Sequence, residues 1–194
     1  MPYLYRLFCL ALLFLFPLGA GLLVLPSEAR LPEMESTFTL PAFPDLRGDG
    51  TLTLLSLKTN EEESITYRRS DGSYDQTQIA ALNRLLRCPW DDRCANMDLE
   101  LIELLDDIED HFGAARLEVV SGYRSPEYNR HLASLGRKVA PKSLHMQGLA
   151  TDIRIAGVDT AVLRDYARTL QVGGVGHYPK DGFVHVDVGR VRYW

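Results

Sequence analysis

Cysteine is scarce in this chain, with three in 194 residues, and only Cys88 and Cys94 lie beyond the apolar N-terminal segment. No further Cys or His lies near them in sequence, so a thiolate metal site is set aside there. An excess of basic charge is missing too. The chain has 21 basic residues against 26 acidic ones, a formal net charge of −5. Binding a phosphate backbone needs concentrated positive charge, which argues against nucleic acid as the main partner. No internal repeat and no low-complexity tract is present, so a solenoid is not expected. At 46% hydrophobic and 24% charged, what remains can bury one modest core.

What is present begins with a targeting segment. Arg6 precedes an uncharged apolar run from Leu7 to Leu25, and Glu28, Glu33 and Glu35 follow it. Basic before and acidic after predicts a cytoplasmic N-terminus and an exported body. Leu18-Gly-Ala20 offers a small-residue cleavage site, yet the run continues far enough to span a bilayer. Residues 1–25 are therefore read as either a signal peptide or a membrane anchor. Cys9 sits too early, and in the wrong setting, for lipid attachment. Pro26, Pro32, Pro41, Pro44, Gly48 and Gly50 make residues 26–50 an extended linker, leaving 51–194 as the folded domain. Export favours a disulfide between Cys88 and Cys94, pinning the turn between two helices. So short a loop would contribute about 2 kcal/mol.

Within the domain, Thr51–Lys58 and Ser64–Arg68 flank Thr59-Asn-Glu-Glu-Glu63, a hairpin pattern. Helices are expected over about Gln76–Leu86, Asp98–Phe112 and Thr160–Leu170. In the second, Leu101, Leu104, Leu105, Ile108 and Phe112 share one face. Its acids Glu103, Asp106, Asp107 and Asp110 are read as the solvated face rather than as a paired acid/base site. Gly113 ends that helix, and Arg116–Val120 forms a strand. A further helix starts after Ser125 as N-cap, with Pro126 at its first position.

The C-terminal fifty residues carry the chemistry. His185 and Asp187 alternate with Val184, Val186 and Val188, so both project from one face of a strand. Asp152 lies opposite Ile153 and Ile155 on a second alternating strand. His145 enters that strand on a loop, seven positions before Asp152. Singly, each histidine is read as an ordinary polar residue. Together, two imidazoles and a carboxylate match an open zinc site, with a fourth position free for water whose pKa falls to roughly 7.

Three motifs in this order carry a resemblance: Ser121-Gly-Tyr-Arg-Ser-Pro-Glu-Tyr-Asn129, Ser-x-His-x-x-Gly-x-Ala-x-Asp from Ser143 to Asp152, and Gly173-Gly-Val-Gly-His-Tyr-Pro with Phe183-Val-His-Val-Asp-Val-Gly189. Over roughly residues 50–194 the chain resembles the zinc D-Ala-D-Ala carboxypeptidase and murein endopeptidase family, nearest its YcbK-like branch. The resemblance implies an α+β fold, an antiparallel sheet backed by helices as in hedgehog and D-Ala-D-Ala peptidases, with Zn2+ held by His145, Asp152 and His185. It implies a metallopeptidase that cleaves peptidoglycan cross-links. The alternatives are a D-Ala-D-Ala carboxypeptidase and a zinc-stabilised wall-binding module without turnover. A monomer is expected, touching the membrane only through its N-terminal segment.

In that family, an arginine matching Arg124 points into the site and binds a substrate carbonyl or carboxylate, which suits its planar donor fork. Tyr123, Ser143 and Gln147 are further candidates for positioning substrate. One departure concerns the general base. Carboxypeptidase members carry a glutamate three residues before the last histidine, where this chain has Gly182, and Asp181 beside it has the wrong parity. Asp187 is left as either the proton acceptor or the group that orients His185. His177 is the other candidate. A four-residue turn over Pro179–Gly182 pairs it beside Val184 and faces it away, whereas a three-residue turn places it beside His185.

Overall fold

The computed structural model describes residues 48–137 and 139–194. The expected signal segment, residues 1–25, and most of the linker lie outside the described residues. The linker's last residues are bound to the domain: Asp49 and Gly50 donate their backbone N–H groups to Asp110 and Asp106 at 2.7 and 2.9 Å.

Strands β1 (Thr51–Ser56) and β2 (Glu61–Thr66) form the expected hairpin. Its turn comes earlier than the acidic run suggests, because Asn60 adopts φ +57° and Glu61–Glu63 enter the strand. Glu61 and Glu62 there pair with Arg87 and Arg116. Helix α1 (Gln76–Leu85) is capped by Asp75, and α2 (Leu99–Phe112) by Asp98, with left-handed Gly113 at its end. Strand β3 (Leu117–Ser121) leads to α3 (Pro126–Ser134), capped by Ser125, then to a 3-10 turn, Leu144–Gln147, and β4 (Ala150–Arg154). Helix α4 (Thr160–Leu170) precedes β5 (Gly174–Tyr178), β6 (Phe183–Asp187) and β7 (Arg192–Tyr193).

The fold is α+β, and its sheet is mixed rather than antiparallel, in the order β2-β1-β3-β4-β6-β5-β7. β1 and β3 run parallel because α1 and α2 carry the chain back between them, and β7 adds parallel to β5 at the edge. The central antiparallel set, β3-β4-β6-β5, supports the functional face.

Alternation divides the two faces of the sheet. Leu52, Leu54, Leu117, Ile153, Val184 and Val186 pack with Leu82, Leu101, Ile102, Leu105, Ile108 and Leu163 of α1, α2 and α4. Asp152 and His185 lie at odd steps from these core positions and project from the opposite side.

The acids of α2 differ from expectation. Glu103, Asp106 and Asp107 are buried, and so is Glu109, whereas Asp110 is exposed. Each meets a donor from an element laid over the helix. Tyr67 and Gly50 donate to Asp106, Thr53 N donates to Glu109 at 3.0 Å, Tyr166 donates to Asp107, and Arg68 pairs with Glu103. A helical wheel shows which residues share a face but not what later covers it. Burial raises Asp106 to about 6 and Glu109 to about 7, against partial relief from these donors.

Candidate metal centre

Cross-strand register builds the centre. Asp152 in β4 sits directly opposite His185 in β6, so both side chains rise from one face at adjacent positions. A bulge between Val119 and Ser121 brings Ser121 opposite Asp152 and turns the following Arg124 loop toward that face. The 3-10 turn carries His145 back over β4. Arg124 N donates to the His145 carbonyl at 3.1 Å, tying the two loops together.

The three candidate ligand atoms lie close together. His185 Nδ1 is 2.8 Å from Asp152 Oδ1, and His145 Nε2 is 3.2 Å from each of them. All three residues are buried. Hydrogen bonds on the far side of each ring set the tautomers. His145 Nδ1 is 2.8 Å from the Gly122 carbonyl, which can only accept, so Nδ1 carries the proton. His185 Nε2 is 3.0 Å from Asp187 Oδ2, which assigns its proton in the same way. Two imidazole lone pairs and a carboxylate oxygen therefore aim at one another.

Such an arrangement needs a shared cation, a proton or a metal ion, between the facing atoms. Its edges approach the roughly 3.3 Å expected between ligands that share a tetrahedral ion at about 2.05 Å. The donor set and spacing thus fit a metal ion. Among the described residues a second acidic group, Asp49, Asp106 and Asp110, also converges, but none of its members lines the cleft.

The electrostatics of Asp152 and His145 support the same assignment. Burial alone would raise the Asp152 carboxyl, yet His145, His185 and Arg124 overcome it and hold the group far below the usual range. Burial lowers His145 and favours its neutral, ligating form. For His185 burial acts in the same direction, but hydrogen bonds to Asp152 and Asp187 outweigh it and raise the group.

The triad opens into a cleft of about 570 Å³ that Arg124, Ser143, Tyr178, Phe183 and Trp194 also line. Arg124 donates from Nε to Ser121 Oγ at 2.8 Å and pairs through Nη2 with Asp152 Oδ2, the oxygen turned away from the two histidines. Tyr123 and Gln147 do not line the cleft. The Tyr123 ring packs on the hydrophobic core, and Gln147 is exposed at the end of the 3-10 turn.

Both base candidates are placed elsewhere. The Pro179–Gly182 turn has four residues, closed by Gly182 at φ +72°, and His177 pairs with Val184. Its ring therefore faces α4, 3.0 Å from Thr160 Oγ1 and 3.1 Å from Arg164 Nη1. Asp187 lies fully buried behind His185. Its Oδ1 accepts from Gly174 N, Gly189 N and Arg192 Nη1, and its Oδ2 accepts from Arg192 Nη2 and His185. A Cβ on Gly174 would come within 2.4 Å of that carboxylate, so the close approach requires glycine. These partners hold Asp187 far below the usual range despite its burial.

The expected bridge is not formed: Cys88 and Cys94 are free thiols. Cys88 turns inward to within 3.8 Å of Ser125 Oγ, while Cys94 is exposed. The loop is closed instead by Cys88 N donating to the Arg93 carbonyl at 2.9 Å.

Sequence reasoning missed Arg192 and Trp194. Arg192 grips Asp187 from β7, and the Trp194 ring lies 5.3 Å from that of His185, with its Nε1 donating to Tyr178 Oη at 2.9 Å. A two-residue edge strand shows too little alternation to be read.

Comparison with known proteins agrees with this geometry. The family described as peptidoglycan L,D-endopeptidase MepK matches residues 47–194. The peptidoglycan L,D-endopeptidases MepK of Escherichia coli (strain K12) and Shigella flexneri are each 37% identical over 145 residues, covering 74% of this chain and 79% of theirs. A probable peptidoglycan L,D-endopeptidase MepK of Haemophilus influenzae is 35% identical over 145 residues, covering 74% of this chain and 77% of its own. No solved structure matches at comparable significance. With His145, Asp152 and His185 all inside a match that spans the described domain, this chain belongs to the M15-type murein endopeptidase family of metallopeptidases.

Proposed function

We propose that the protein is a zinc-dependent peptidoglycan endopeptidase that hydrolyses peptide cross-links of the bacterial cell wall, of the L,D type for which its relatives are named. The carrying observation is the convergence of His145 Nε2, Asp152 Oδ1 and His185 Nδ1 at the floor of an open cleft. Two imidazoles and one carboxylate suit zinc with an open position. Zinc held there supplies a Lewis acid that activates water and polarises an amide carbonyl.

The chain's own groups do the rest. Arg124, fixed by Ser121 and Asp152, places a permanent cation beside the triad, where it steadies the developing oxyanion or a substrate carboxylate. Asp187 orients His185 and keeps the proton on Nε2. It has no role here as proton acceptor, since its oxygens are occupied and its charge is buried. His177 has none either, because its ring faces α4. Ser143 contributes to the cleft wall, and Trp194 covers one side of His185.

A wall substrate accords with the export expected from residues 1–25, so we place the enzyme in the periplasm or cell envelope, as a monomer released or held by that segment. Among the described residues no helix is long and apolar enough to cross a membrane. Digesting purified sacculi with the zinc-loaded chain, and reading the fragments by mass, tests the activity. Cross-linked dimers should disappear, and a chelator should stop their loss. Loss of a single terminal alanine would indicate a carboxypeptidase, and unchanged fragments with retained wall binding would indicate a non-catalytic module.

A further inference from the structure

The cleft carries charge that the triad does not use. Lys58 follows β1, Arg137 follows α3 and Lys142 precedes the 3-10 turn, yet all three line the same cavity. None forms an ion pair among the described residues, and each is exposed. The other two lining cations differ: Arg124 is tied to Asp152, and Arg192 to Asp187. The lining acids are Asp152, which is neutralised in the triad, and Asp181 in the β5–β6 turn. Among the described residues three unpaired cations therefore face one unpaired carboxylate, in a protein whose net charge is −5.

Unpaired like charges held together on separate loops repel one another and add nothing to the fold. They create a positive potential in a concave, partly apolar site, where field lines concentrate and attract an anion. Phosphate-sized and carboxylate groups both suit lysine and arginine, but the occupant of this cleft must also present an amide to the triad. A peptide with free carboxylates near its scissile bond meets both requirements.

We infer that Lys58, Arg137 and Lys142 form a carboxylate-binding rim that makes the cleft selective for anionic cross-linked peptides over the same peptides with amidated carboxyl groups. The inference rests on the proposed reading of the site as a peptide-cleaving centre, but binding tests it separately from cleavage. Lys58 and Lys142 act as mobile point charges, while the Arg137 fork can take a carboxylate through two bonds. Selectivity should weaken with salt, since these groups are exposed and screened.

The test uses the full-length zinc-loaded chain and two purified cross-linked peptide dimers, one with free carboxylates and one with carboxamides in their place. Titration calorimetry should show the anionic dimer binding at least about tenfold tighter at low salt, a difference within reach of two or three screened charge pairs. Raising the salt should shrink that ratio severalfold for the unmutated protein, which needs no variant to be folded. In the triple variant Lys58→Gln, Arg137→Gln and Lys142→Gln, the ratio should fall severalfold, to what Arg124 alone supports. Equal affinity for both dimers in the unmutated chain, or an unchanged ratio in the triple variant, would overturn the inference. If the anionic dimer binds selectively but is never cut, the rim stands and the peptidase reading fails.

Discussion

Replacing Asp187 with asparagine keeps the side-chain volume and removes the charge, so it isolates what this buried carboxylate does. At present Oδ1 accepts from Gly174 N at 3.0 Å, Gly189 N at 2.9 Å and Arg192 Nη1 at 3.0 Å, while Oδ2 accepts from Arg192 Nη2 at 2.7 Å and His185 Nε2 at 3.0 Å. An asparagine oxygen turned toward the two backbone amides points its NH2 group at Arg192 and His185, setting donors against donors. Arg192 is 32% exposed and can recover part of its loss in water. Among the described residues buried His185 Nε2 has no other acceptor, so the ring loses both its orientation and the tautomer that leaves Nδ1 free. Partners of this kind are worth about 10- to 100-fold in metal affinity, or roughly 1.4–2.8 kcal/mol. The strained hydrogen bonds should also cost the fold about 1–3 kcal/mol. Competition between the chain and a fluorescent zinc chelator measures the first quantity, and urea unfolding of the metal-free protein the second. If Asp187→Asn binds zinc as tightly as the unmutated chain but loses turnover, Asp187 is a proton acceptor and the orienting role is refuted.

Three further outcomes can be checked. His177→Ala should keep turnover on sacculi within about twofold and cost about 1 kcal/mol for its contacts with Thr160 and Arg164; loss of most activity would contradict the observed register. Asp106 and Glu109, raised to about 6 and about 7, bind more protons folded than unfolded between pH 4 and 7, so their contribution to stability falls as pH rises through that window. Urea midpoints at pH 5.5 and 7.5 should therefore differ less in the Asp106→Asn, Glu109→Gln double variant, and an unaltered pH difference would refute the burial argument. Alkylation of the folded chain followed by peptide mass analysis should modify exposed Cys94 and spare buried Cys88; protection of both until a reductant is added would show a disulfide instead.

Local pattern alone determined a good part of this protein. The helix of Thr160–Leu170 and the cap of Pro126–Ser134 were legible because propensity and capping act within a turn or two of the chain. The shared face of His185 and Asp187 followed from the two-residue period of a strand, which no packing partner can alter. The convergence of His145, Asp152 and His185 was legible from their places on or beside alternating strands together with the family resemblance.

Contacts between distant segments decided the rest. Whether His177 entered the site depended on one residue of turn length, and left-handed Gly182 closes a four-residue turn that sends the ring to α4. The roles of Asp187 and of the α2 acids were set by Arg192, Gly174, Tyr67, Thr53 and Tyr166, which arrive from elsewhere in the chain and bring donors to buried carboxylates. Cys88 turned inward toward Ser125 rather than across to Cys94 for the same kind of reason. A sequence shows which way a side chain leaves its own strand or helix; only the packed chain shows what it meets there.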